Sequence, residues 1–138
     1  MKNILLLVHD DDGQEARLQV ALDITRALSG HLTCVVAIAP PLALSSVEPG
    51  IVQSLAIAEA CDRERHNFAK LEARLANEDV TWNAIETIGD PARKLQNAAE
   101  LADLIVVSSR LGEDGQADAR RIVGALAGKS GRALLAVP

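Results

Sequence analysis

The chain has 138 residues, a net charge of −5 and 49% apolar residues, with Phe68 and Trp82 as its large aromatic side chains. That length is one domain with enough chain to bury its own core, so a single domain over residues 1–138 is expected. The acidic balance without a basic cluster excludes nucleic-acid binding by phosphate neutralisation, and no apolar run approaches a membrane span.

Ile4 to Val8 is a continuous apolar run, the pattern of a strand buried on both faces. It is too short for a signal-peptide core, so a cytoplasmic protein is expected. The turn His9-Asp10-Asp11-Asp12-Gly13 ends it. A helix is predicted from Gln14 to Ser29, with Leu18, Leu22, Thr25 and Leu28 on one stripe and Val20 and Ile24 widening it. Gly30 stops the helix. Leu32 to Ile38 is the second strand, and the Pro-rich stretch from Ala39 to Gly50 has no periodicity.

A long helix is predicted from Ile51 to about Asn77, carrying Ile51, Leu55, Ala58, Phe68, Leu71 and Leu75 at helical spacing. Its charged middle, Asp62 to His66, should face solvent. Val80 to Ile88 alternates apolar and polar residues, as a half-covered strand near a sheet edge does. Asp90 and Pro91 open the next helix, since Asp caps free amides and Pro fits the first turn. Ala92, Leu95, Ala98, Ala99 and Ala102 give it a small face for close packing. Asp103 to Ser108 is a strand, Asp118 to about Lys129 a helix, and Arg132 to Val137 the last strand. Strands alternating with helices predict an α/β fold, a doubly wound parallel sheet with helices on both faces. Cys34 and Cys61 form no CxxC pair and read as buried, reduced thiols.

Several segments then fall into one pattern. Ile4 to Leu28 is a strand-turn-helix unit. Gly89-Asp90-Pro91-Ala92 has the form Gly-x-Pro-Ala, Asp103 to Val107 reads Asp-Leu-Ile-Val-Val, and Ala133 to Pro138 closes in Val-Pro. In this order and at this spacing the whole chain resembles the universal stress protein (UspA-like) family. The resemblance implies a Rossmann-like five-stranded sheet ordered 3-2-1-4-5 and a homodimer, often paired through the last strand. It implies ATP binding in some members and none in others, and no established catalytic activity in most.

ATP-binding members carry Gly-x2-Gly-x9-Gly-(Ser/Thr) after the fourth strand. Glycines let the backbone approach phosphate, and the hydroxyl and helix amides bind its oxygens. Here Ser108 takes the first glycine's place when counted from the strand end, which leaves the loop to Gly124 about three residues too long. Counted by glycines, Gly112 and Gly115 have the right spacing, but one residue is missing before Gly124. In both registers Ala125 replaces the hydroxyl residue. Glu113, Asp114 and Asp118 add like charge where phosphates would sit, and Arg110, Arg120 and Arg121 offset part of it. The aspartate that relatives carry after the first strand is His9 by strict count, with Asp10 one later. Ala37 matches a position whose backbone meets adenine in relatives.

Other candidates are weaker. Gly124 to Ser130 lacks one residue of the P-loop spacing and leads into a strand, so it is no P-loop. Gly128 and Gly131 read as helix-ending residues. The acidic turn at Asp10 could hold Mg²⁺, more readily together with a nucleotide. His31 and His66 read as surface residues. Ser108 and Ser109 with His9 could form a hydrolase site, but no nucleophile elbow surrounds either serine.

Two readings lead. The first is a stress-response or regulatory protein that acts through protein partners, with a degenerate nucleotide loop, weak or no ATP binding and no resident cofactor. The second is an ATP- or AMP-binding module, with Mg²⁺, formed by Asp10, Ala37, Ser108, Arg110, Gly112, Gly115, Gly124 and Ala125. In both, the apolar edge strand Arg132 to Val137 pairs with its copy in a homodimer, and neither a nucleic acid nor a membrane is a partner.

Overall fold

The computed structural model describes residues 2–8, 12–38, 51–88, 91–108, 124, 128 and 131–138. Its elements are β1 (Asn3–Val8), α1 (Gln14–Ala27), β2 (His31–Ile38), α2 (Ile51–Leu75), β3 (Thr81–Ile88), α3 (Pro91–Glu100), β4 (Leu104–Ser108) and β5 (Ala133–Val137). Five parallel strands form one sheet in the order β3-β2-β1-β4-β5.

Burial follows the strand period. Ile4, Leu6 and Val8 of β1 face a core shared with Leu32, Cys34 and Val36 of β2, Leu18, Ala21 and Leu22 of α1, and Leu71 and Leu75 of α2. Leu5, Leu7, Val35, Ile105 and Val107 face the opposite side, where Ala99 and Ala102 at and beyond the end of α3 cover them. Helices thus lie on both faces, and β1 is buried from Ile4 to Val8 as its apolar run predicts. Aliphatic side chains fill both cores, with Phe68 and Trp82 packed at the margin of the first. At the sheet edges β3 and β5 remain half exposed, in keeping with their alternating or short sequences.

The end of α1 departs from the expected glycine stop. The Gly30 amide donates to the Thr25 carbonyl at 2.9 Å, and the Ser29 amide to that of Arg26 at 3.2 Å. These two bonds make a Schellman motif, whose left-handed residue is usually glycine. Here Ser29 takes it, with φ 50°. Gly30 serves a different need: a Cβ there would collide with the Lys2 carbonyl, which the His31 amide reaches at 2.6 Å. Leu28 caps the helix and is exposed rather than on the buried stripe, because the chain has already turned away from the sheet. Pro91 opens α3 as expected, and Gly131 carries φ 62° before β5. Gly128 is helical, and its neighbours 129 and 130 lie outside the described residues.

Candidate functional site

The strand order reverses between β1 and β4. In open α/β sheets ligands bind in the crevice outside the carboxyl ends of the strands at such a switch point. The two strands pair Ile4 with Leu104, Leu5 with Ile105 and Leu6 with Val106. They end at Val8 and Ser108. Strand alternation puts Ser108 on the same face as Leu104 and Val106, the face covered by α1 and α2. Its side chain is buried. Across β5 it lies in register with Val137, which packs against the same core.

The crevice also holds a cation that the sequence reading did not single out. Arg17 is 1% exposed, the largest of the fully buried side chains, and is engaged within the fold. It lies one turn into α1, next to Leu18 and four residues before Ala21. A Cβ placed on Gly13, which caps that helix, would sit 3.1 Å from Arg17 Nη1 and 3.1 Å from the Pro138 carbonyl oxygen. The β1–α1 turn, the guanidinium and the segment after β5 therefore meet at one point. The signal was present in the sequence, since Arg17, Ala21 and Ile24 share a helical stripe.

The residues expected to bind nucleotide are placed unevenly. Ala37 lies in β2, paired with Thr87 of β3. Ser108 ends β4, and Gly124 is helical and exposed. Asp10, Arg110, Gly112, Gly115 and Ala125 lie outside the described residues, as do His9 and Ser109. Among the described residues no group of three or more His, Cys, Asp or Glu side chains could hold a metal ion.

The other end of the sheet is a structural clasp. The Asp103 carboxylate accepts the Lys2 amide at 2.8 Å and the Asn3 amide at 3.0 Å. The Asp103 amide returns a bond to the Asn3 carbonyl at 2.8 Å. Hydrogen bonds from the Asn3 and Lys2 amides hold its carboxyl below the usual carboxylate range. The aspartate of the Asp-Leu-Ile-Val-Val segment thus ties β4 to the start of β1. His31 is similarly structural: Nδ1 lies 3.0 Å from Thr81 Oγ1 and Nε2 2.7 Å from Asn83 Oδ1, joining β2 to β3. Cys34 is buried, and burial pushes its thiol up to about 12.

The family model for universal stress proteins matches residues 1–133. The chain belongs to the universal stress protein family. This universal stress protein has the same fold as UspA from Lactobacillus plantarum, at 16% identity and a TM-score of 0.71, covering 99% of this chain and 97% of that one. A family protein from Burkholderia pseudomallei gives 19% identity, a TM-score of 0.71 and coverage of 99% and 96%. A family protein from Arabidopsis thaliana, solved with AMP bound, gives 10% identity, a TM-score of 0.63 and coverage of 99% and 91%. By sequence, no curated protein matches this universal stress protein. No helix among the described residues is long and apolar enough to cross a membrane.

Proposed function

We propose that this universal stress protein is a non-enzymatic, cytoplasmic stress-response or regulatory protein that works through protein partners, with a degenerate nucleotide loop that binds ATP weakly or not at all. The observation that carries this reading is Ser108. Counted from the strand end, it takes the place of the first glycine in the family's ATP-binding pattern, and it is buried at the end of β4. Glycine is useful there because the backbone can then approach phosphate closely. A buried side chain takes up that approach.

A second reading keeps the nucleotide. The Arabidopsis thaliana relative was solved with AMP, and Arg17 supplies this chain with a buried cation beside the β1–α1 turn. In that reading Asp10, Ala37, Ser108, Arg110, Gly112, Gly115, Gly124 and Ala125 would surround an ATP or AMP with Mg²⁺.

Thermal unfolding with and without millimolar Mg²⁺-ATP separates the two. A ligand present at about 100 times its Kd adds about 2.7 kcal/mol to the folded state. The first reading predicts an unchanged midpoint and no nucleotide absorbance in the purified protein. A rise of several degrees would favour the second.

We further propose a homodimer formed through the edge strand from Arg132 to Val137. β5 is apolar and half exposed, with β4 on one side. An apolar edge invites pairing with a copy of itself. Light scattering after size exclusion should give twice the chain mass of 14.6 kDa. A mass of one chain at micromolar concentration would contradict the dimer.

A further inference from the structure

Beside the start of α1, the face of α2 carries an open groove of about 340 Å³ lined by Asp62, Arg63, His66, Asn67 and Lys70. We infer that this groove is a binding site for a small phosphate-bearing anion, held by Arg63, His66 and Lys70. The inference goes beyond the reading of the crevice and does not depend on it.

Three observations carry it. Arg63, His66, Asn67 and Lys70 stand at i, i+3, i+4 and i+7, so one helix face presents all four. Arg63 offers a planar fork of donors, Lys70 a point charge, and His66 an N–H in either tautomer, which is a donor set suited to phosphate oxygens. Among the described residues, no ion pair engages these cations; the pairs join Arg26 with Asp23, Glu78 and Asp79, and Arg74 with Glu15 and Glu78. Finally, the floor is built. Asn67 is 6% exposed, and its amide makes a reciprocal pair with Gln14 at 2.8 and 2.7 Å. That pair fixes the α2 face against the first residue of α1.

The volume lies at the small end of ligand pockets, which run from about 300 to 1,000 Å³. It suits a diphosphate or a compact phosphorylated metabolite better than a whole nucleotide. Asp62 also lines the groove and opposes an anion, so it limits affinity.

Inorganic pyrophosphate is the probe. Titrated into ¹⁵N-labelled protein, it should produce saturable amide shifts centred on Arg63, His66, Asn67 and Lys70. Sodium chloride at matched ionic strength should not reproduce them. The double variant Arg63→Gln, Lys70→Gln changes two exposed side chains and should weaken binding about tenfold or more, since charge-assisted bonds are the strong ones. Asp62→Asn should tighten it. Shifts that chloride reproduces, shifts confined to the ends of β1 and β4, or affinity retained in the double variant would each overturn the site.

Discussion

Arg17 lies directly against Gly13: its Nη1 is 3.1 Å from the point a Cβ on that glycine would occupy. The Pro138 carbonyl oxygen lies equally close to the same point. Gly13 has φ −91°, an ordinary value for any residue, so what favours glycine there is close packing and not backbone conformation. Its place is set by the guanidinium beneath it.

Arg17→Ala should therefore cost about 3 kcal/mol of folding stability, because it empties the space of the largest fully buried side chain and removes its interaction within the fold. Gly13→Val should cost about 1–3 kcal/mol through overpacking against Arg17 and Pro138. Urea unfolding followed by circular dichroism measures both. If either variant matched the parent midpoint, the meeting of turn, cation and chain end would not be a packed unit.

The end of α1 gives a pair of opposite expectations. Ser29→Gly should stabilise the protein by about 1 kcal/mol, since φ 50° strains a residue with a Cβ and suits glycine. Gly30→Ala should destabilise it, because the new methyl would collide with the Lys2 carbonyl. The two changes are adjacent in sequence, so a general sensitivity of this turn to mutation would not give opposite signs.

Much of this architecture was legible in the sequence. Ile4 to Val8 announced a strand covered on both faces, the alternation from Val80 to Ile88 an edge strand, and Pro91 a helix start. Each is a local pattern with one tertiary solution. The exceptions depend on neighbours distant in sequence. Leu28 fits the helical stripe but lies where the chain turns away from the sheet. Arg17 is buried near Gly13 and Pro138, which lie far apart in sequence. Asp103 acts on Lys2 and Asn3, at the opposite end of the chain. Of the candidate site residues, Ser108 lies at the end of β4 as its strand pattern predicts. Asp10, Arg110, Gly112, Gly115 and Ala125 lie outside the described residues.

The clasp at Asp103 makes stability depend on acid. Its carboxyl is held below its ordinary value by the Asn3 and Lys2 amides. A depressed folded pKa contributes stability above the unfolded value, about 3.9 for Asp, and that contribution disappears as pH falls through the lower folded value. Asp103→Asn should lower stability at neutral pH and flatten the acid limb of the stability profile. An acid limb of unchanged slope in the variant would show that other carboxylates set it.

Cys34 should be inert in the folded protein. Burial pushes its thiol up to about 12, and the thiolate is the reactive form. With Cys61→Ser leaving one thiol, iodoacetamide at mildly alkaline pH should label the chain in urea and leave the native protein unmodified. The stabilising effect of the neutral thiol is complete below the unfolded pKa, about 8.5, and is lost as pH rises towards 12. Fast labelling of the native form would mean that the core around β2 opens readily.

The central claim concerns the strand-end crevice, and calorimetric titration of the purified protein with ATP in the presence of Mg²⁺ tests it most directly. With the Ser108 side chain buried at the end of β4, the account predicts no saturable heat below millimolar ATP. A micromolar Kd that rises on Gly115→Asp would show that the altered loop still cradles phosphate, and would contradict the account.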